Sequence, residues 1–250
     1  MSALAGRVAI VTGGSSGIGR ATALALGRAD ARVVVVGRDS ERLQRTTKEL
    51  ERTTGGRVLG LSLDVRSECD TAALAEQVLA AHGRIDILVA CAGVGAGPRQ
   101  TVPRPVAQLA VADWDVVVDT NVRGTFLSDR AVLPTMIAQG EGDIVHLSSA
   151  PAGIRGQPLA AAYCASKFAV NALSESLSSE VREHGIRVHL VFPGLVETPL
   201  VKGAGLAKRF GSPLAPERVA DFLVWLLCLP RDAVLQPSRR YGSSTLRGWS

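Results

Sequence analysis

Short apolar runs alternate with helical patterns from the first residues to about residue 230, and this alternation constrains the fold more than any other feature. Segments 7–12, 32–36, 58–63, 85–90, 144–147 and 188–192 read as strands. Between them, 17–28, 40–52, 67–82, 111–121, 125–139 and 161–184 carry helical periodicity. The run Val33-Val34-Val35-Val36 is apolar on both faces, as a strand must be when helices cover both sides of its sheet. Repeated βα units with short connections predict an α/β chain: a single doubly wound domain over 1–250, its sheet mostly parallel, with helices on both faces. Residues 194–215 are richer in Gly, Pro and Lys and read as a loop with a short helix. They lie beyond the carboxyl end of a strand, where open α/β sheets bind ligands. A last edge strand is expected within 236–245.

Composition excludes several other roles. Hydrophobic residues make up 46% of the 250 and charged residues 20%, an ordinary globular balance that buries a large core without a disulfide or metal staple. The formal charge of +5 arises from 28 basic residues spread along the chain, 24 of them Arg and only 4 Lys. Their longest runs are pairs, Lys208-Arg209 and Arg239-Arg240, and aromatic residues are 4%, so no nucleic-acid partner is expected. Cys69, Cys91, Cys164 and Cys228 stand far apart, as do His82, His146, His184 and His189, so no metal site is expected. The first residues lack the apolar core of a signal peptide, and the apolar stretch 224–229 is too short to cross a bilayer. A cytoplasmic protein without a membrane partner is the expectation.

Three groups of residues carry chemistry. Thr12-Gly13-Gly14-Ser15-Ser16-Gly17-Ile18-Gly19 stands between the first strand and the first helix. Gly13, Gly17 and Gly19 let the backbone turn tightly against a pyrophosphate, and the helix start offers N–H donors. Inside the long helix, Tyr163 and Lys167 are four residues apart and so share a face. Free tyrosine titrates near 10, and a neighbouring cation favours the phenolate, so Lys167 is expected to lower Tyr163 toward the range of a general acid or base. Ser148-Ser149 ends a strand at the same sheet edge, where a hydroxyl can hydrogen-bond a carbonyl oxygen as charge grows on it.

In these features the chain resembles the short-chain dehydrogenase/reductase family over residues 5–230. The TGxxxGxG turn falls on Thr12 to Gly19 and YxxxK on Tyr163 and Lys167. Asp64-Val65 follows the third strand, Asn121 lies in Asn-Val-Arg-Gly, and Pro193-Gly194 precedes Thr198. The resemblance implies a Rossmann domain and a homotetramer or homodimer built on helices 125–139 and 161–184. Their apolar residues Phe168, Val170, Leu173, Leu177 and Val181 exceed one narrow stripe. It implies that Tyr163 passes a proton to a carbonyl oxygen while NAD(P)H delivers hydride to the carbon. Lys167 would hold the nicotinamide ribose and lower the tyrosine pKa, Ser149 would orient the carbonyl, and Asn121 would support a water linking Lys167 to bulk. The cofactor would lie against Gly13, Ser15, Ser16, Gly17, Ile18, Gly19 and Gly93, with Asp64 and Val65 flanking adenine. Pro193, Gly194 and Thr198 would lie at its other end.

The chain departs from the family pattern in three places. Cys91-Ala92-Gly93 replaces the usual Asn-Ala-Gly, which removes an amide's hydrogen bonds. Ser149 is one residue farther from Tyr163 than usual, with Pro151 marking the extra residue. The tail after Val234 lacks the common glycine-rich ending. NAD-preferring sites place an acid directly after the second strand, but here Gly37-Arg38-Asp39-Ser40 follows. Arg38 offers a fork for a 2′-phosphate, and Asp39 or Ser40 sits where a helix cap belongs, so NADP(H) is expected over NAD(H). The substrate-facing segments 150–162 and 195–210 are mostly apolar, with Arg155, Glu197, Lys202, Lys208 and Arg209 among them. The expected function is interconversion of a moderately apolar ketone and its secondary alcohol. A 3-oxoacyl-thioester (acyl-carrier-protein) reductase is the alternative within the class, and a catalytically silent nucleotide-sensing regulator the alternative outside it.

Overall fold

The computed structural model describes residues 4–56, 58–97, 104–204, 212–233 and 240–241. Its strands are β1 (Val8–Thr12), β2 (Arg32–Gly37), β3 (Val58–Ser62), β4 (Ile87–Ala90), β5 (Gly142–Leu147), β6 (Ile186–Pro193) and β7 (Arg240–Tyr241). They form one sheet in the order β3-β2-β1-β4-β5-β6-β7, every described pair parallel. The helices are α1 (Gly17–Arg28), α2 (Ser40–Thr54), α3 (Glu68–His82), α4 (Val111–Val118), α5 (Gly124–Gln139), α6 (Ala161–Val181), α7 (Pro199–Ala204) and α8 (Pro216–Leu227). The doubly wound α/β fold is the one expected, and the edge strand β7 falls inside its expected window.

Period-two alternation feeds two cores. Ala9, Val11, Val33, Val35, Ile87, Val89 and Val145 face α1, α2 and α8, which contribute Leu26, Leu43, Leu50 and Leu223. Val8, Ile10, Val34, Leu88 and Ile144 face the other way, toward Leu74, Val78, Val132, Met136, Leu177 and Val181 of α3, α5 and α6. Both sets are apolar because both faces are covered. The strand order reverses between β1 and β4, which opens a crevice at their carboxyl ends.

Several element bounds shift by one or two residues, the helix Pro216–Leu227 was not foreseen, and two larger differences concern the helices around the site. The helices expected at 111–121 and 125–139 are one continuous rod, joined by a π turn over Asp119–Arg123. Thr125 and Ser128 hydroxyls donate to the Asn121 and Gly124 carbonyls (2.8 and 2.7 Å), so side chains satisfy acceptors where the helix widens. The long helix stops at Val181 and a 3-10 turn, Arg182–His184, leads to Gly185 in the left-handed region. The 194–215 segment does contain a short helix, α7, and its ends are stitched where Glu197 and Leu195 exchange backbone hydrogen bonds with Leu214 (2.8 Å each). Lys208, Arg209, Phe210, Arg239 and the side chain of Lys202 lie outside the described residues. No described helix is long and apolar enough to cross a membrane.

Candidate active site

The glycine turn is built by close approach. Gly13 (φ +64°) lies so near Ala92 that a Cβ there would sit 2.8 Å from its backbone, and Gly17 (φ +51°) lies against Thr198, 3.0 Å from a hypothetical Cβ. An L side chain at either position meets both strain and neighbouring atoms. Gly19 is buried beside the Gly13 carbonyl, and Ile18 packs partly on the first core. Ser16 caps α1 by backbone geometry alone, and no acid stands in that helix's first turn. The opening N–H groups are therefore free to meet an anion. Ser15 is buried against Gly37 at the end of β2. This cradle of backbone, with room only because side chains are missing, fits a dinucleotide pyrophosphate.

At the other rim, Asp64 is held by Arg66 (2.6 Å) and its backbone N–H donates to Asp70 (2.9 Å). The Arg66 hydrogen bond keeps the Asp64 carboxyl below its ordinary value despite burial. Val65 is buried against Gly124. Arg38 is half-exposed, with its guanidinium 4.0 Å from Asp64. Asp39 is the N-cap of α2, accepting from Arg42 N–H at 2.9 Å, which leaves Arg38 the charged side chain at the end of β2. Pro193 closes β6, Gly194 follows it, and Thr198 stands over Gly17 and in front of α7. A larger open groove of about 420 Å³ runs between α2 and β3 but is lined by none of these site residues.

The reactive groups meet beyond β5. Ser149 is buried and hydrogen-bonded to the half-buried Tyr163. Lys167, also buried, donates to the Leu147 carbonyl at 2.7 Å and places Nζ 5.6 Å from the Tyr163 ring centre. Of the two serines, the interval to Tyr163 favours Ser149. The structure turns Ser148 away, donating to Asn171 Oδ1 at 2.5 Å, and leaves Ser149 at the phenol. The extra residue is absorbed in a turn in which Ser149 accepts from Ala152 N–H (3.3 Å, hydroxyl) and Gly153 N–H (2.7 Å, carbonyl).

Several expectations are corrected. Tyr163 is not lowered: burial pushes it up to about 12, opposed by the Ser149 hydrogen bond. Lys167 faces the ring and is itself pushed down to about 8 by burial. Tyr163 is thus a protonated phenol at neutral pH. The Asn121 amide accepts from Val94 N–H (2.8 Å) and donates to the Val94 carbonyl (2.9 Å) and Ser166 Oγ (3.0 Å). Its own carbonyl accepts from Thr125. Asn121 therefore holds the segment after β4, with Gly93 beneath its Oδ1. Nor is the sheet unsupported at Cys91, because Thr12 Oγ1 accepts from Ala92 N–H (3.3 Å) and Asn121 fixes Val94. Burial holds the Cys91 thiol up near 12 despite Lys167, so it is no nucleophile at neutral pH. Of the expected outward apolar residues of α6, Val170, Leu177 and Val181 are buried in the protein's own core, while Phe168 is 45% exposed.

The role of Thr12 within the glycine motif, and those of Ser166 and Asn171, were missed by sequence reading, although Ser166 sits inside the Tyr163–Lys167 interval. It donates to the Tyr163 carbonyl at 2.7 Å while receiving Asn121. Arg104 was also missed. With Leu109, Leu159 and Ala160 to Ala162 it lines a water-sized cleft beside Tyr163.

A strand–glycine turn–helix cradle facing a buried Ser-Tyr-Lys set defines a dinucleotide-dependent enzyme of the doubly wound class. Comparison with known proteins agrees. Residues 7–208 match the short chain dehydrogenase family, and the chain belongs to that family as an oxidoreductase. An uncharacterized oxidoreductase of Staphylococcus haemolyticus is 35% identical over 230 residues, 92% of this chain and 94% of the relative. A metagenomic short-chain oxidoreductase solved in complex with NADP is 36% identical, with TM-score 0.81 over 96% of this chain and 98% of that one. The 3-ketoacyl-(acyl-carrier-protein) reductase from Brucella melitensis, solved with NADH, is 29% identical, with TM-score 0.85 over 96% and 97%.

Proposed function

We propose that the protein is an NADP(H)-dependent reductase that interconverts a moderately apolar ketone and its secondary alcohol. The observation that carries this reading is the convergence of Ser149, Tyr163 and Lys167 at the crevice where the glycine turn opens. The cofactor, when bound, supplies the hydride. Gly13, Ser15, Ser16, Gly17, Ile18 and Gly19 would hold its pyrophosphate, with Gly93, Pro193, Gly194 and Thr198 around the nicotinamide half and Asp64 and Val65 beside the adenine. Ser149 orients the carbonyl by donating to its oxygen. Tyr163, protonated at neutral pH, gives that oxygen its proton. Lys167 supplies a nearby positive charge as the phenolate forms and binds ribose hydroxyls. The mostly apolar sequence of segments 150–162 and 195–210 favours an apolar substrate body.

The cofactor choice rests on Arg38. Asp64 already has Arg66 as its close partner, and Asp39 is committed to capping α2, so Arg38 is available to a 2′-phosphate. A ketone panel followed by NADPH consumption is the test. Turnover with kcat/KM favouring NADPH is expected. Arg38→Ala removes one charge-assisted contact worth about 1.5–3 kcal/mol, and should weaken NADPH roughly ten- to a hundredfold while sparing NADH. Equal use of both cofactors would overturn the preference, and NADPH binding without turnover of any ketone would favour a nucleotide-sensing role. The similarity to the Brucella reductase supports a second reading, a 3-oxoacyl-thioester substrate; preference for an acetoacetyl thioester over simple ketones would decide for it.

The proposed setting is the cytoplasm, which suits four cysteines that form no disulfide. A homo-oligomer is proposed on α4, α5 and α6, where Trp114 (38%), Phe126 (46%), Ile137 (40%) and Phe168 (45%) remain exposed. Light scattering at micromolar concentration should return a dimer or tetramer mass; a monomer mass would refute it.

A further inference from the structure

Four consecutive residues at the end of β5 each meet α6. His146 Nδ1 contacts Ser174 Oγ at 2.7 Å, the Leu147 carbonyl accepts from Lys167, Ser148 donates to Asn171, and Ser149 meets Tyr163. Asn171 also donates to the Gly153 carbonyl at 2.7 Å, closing the turn that follows Ser149. Only two of these four contacts involve groups assigned to the chemistry. His146 and Ser174 are fully buried on an otherwise apolar sheet face, where a purely structural helix contact needs no polar atoms.

The Ser174 hydroxyl lies 2.6 Å from the Val170 carbonyl and 2.7 Å from His146 Nδ1, so it bridges the backbone of α6 to the end of β5. On its far side, His146 Nε2 stands 2.9 Å from Oδ1 of the buried Asp129 on α5. One proton must lie between them, because two lone pairs at that distance repel.

We propose that Ser174 and Asn171, with His146 and Asp129 behind Ser174, are positioning residues that set the axial register of α6 and so place Tyr163 and Lys167 against Ser149. The proposal rests on the catalytic reading of Tyr163 given above. It accounts for the additional residue between Ser149 and Tyr163: the helix is registered by side-chain ties to residues 146–148, and loop length is free to vary. Small displacements of a reacting group cost large factors in rate, so loss of a tie should appear in kcat.

The test uses the full-length protein and a ketone that the wild type reduces. Ser174→Ala and Asn171→Ala are each expected to lower kcat about ten- to a hundredfold, with NADPH Kd and substrate KM changed less than about threefold. Ser174→Thr keeps a hydroxyl able to reach the same helical carbonyl and should return at least about half the wild-type kcat. If Ser174→Ala does not fold, Ser174→Cys, which keeps the volume with a weak acceptor, takes its place with the same expected loss. Wild-type kcat in both alanine variants, or failure of threonine to rescue, would overturn the proposal. Tyr163→Phe in the same assay separates the two readings: if it abolishes turnover while Ser174→Ala does not, the positioning role alone fails. If it leaves turnover intact, the catalytic reading fails and this inference with it.

Discussion

Replacing Tyr163 by Phe should lower kcat at least about a hundredfold, the low end for loss of a general acid. The substitution keeps the ring that lies beside Lys167 and removes only the hydroxyl that meets Ser149. Burial holds that hydroxyl up near 12, which makes it a firm proton carrier at neutral pH and a competent acid toward the far more basic alkoxide oxygen. Because the hydroxyl has no assigned partner in the pyrophosphate cradle, NADPH affinity should stay within about threefold of wild type. Steady-state rates together with a fluorescence titration of NADPH would check both halves. Activity within a few-fold of wild type would remove Tyr163 from the chemistry.

Asp143→Asn should be the most destabilising single substitution proposed here. The Asp143 carboxylate is fully buried at the start of β5 and receives Arg7 (2.7 Å), Arg187 (2.7 Å), His189 (3.1 Å) and Arg231 (3.2 Å). Burial alone would raise its pKa; hydrogen bonds from His189 and Arg187 and the charge of Arg7 outweigh that and hold the group well below the carboxylate range. Neutralising it leaves two little-exposed guanidinium groups without their counter-charge, a loss of about 3–5 kcal/mol. That corresponds to roughly 6–20 °C in Tm for a chain of this size. A group whose folded-state pKa is depressed stabilises above its unfolded value and ceases to as pH falls through the folded one. The gap in Tm between wild type and variant should therefore be full above about pH 5 and narrow as pH drops below about 4. Thermal melts across that range are the measurement. A gap that stays constant down to about pH 3 would show that the ionised carboxylate is not its cause.

What the sequence made legible, and what it hid, follows from the distances over which each feature is encoded. Strands and helices come from local period, and Tyr163 with Lys167 from a four-residue spacing, so both could be read directly. The doubly wound order followed because βα units with short links leave few alternatives. Ser149 was read from its interval to Tyr163, but that Ser148 is tied off by Asn171, 23 residues away, follows from no spacing rule. Asp129, His146 and Ser174 share no sequence spacing, since they come from three different elements. Burial depth was invisible too, and it reversed the expected direction of the Tyr163 shift. Asn121 was found from its motif, while the direction of its amide, toward Val94 and Ser166, depends on a π turn that has no sequence period of its own.

That π turn has a mechanical meaning. One residue added to a helix rotates everything on one side of it by roughly 100° relative to the other. The rod from Val111 to Gln139 therefore behaves as two shafts joined by a fixed angular offset, with Asn121 at the joint. Which way Trp114 looks is geared to whether Asn121 grips Val94. A one-residue deletion here would not merely shorten the rod; it would have to twist α4 or tear Asn121 from the strand end it holds. The chain can tolerate an extra residue in the turn after Ser149, but the same economy is closed to it at Asn121.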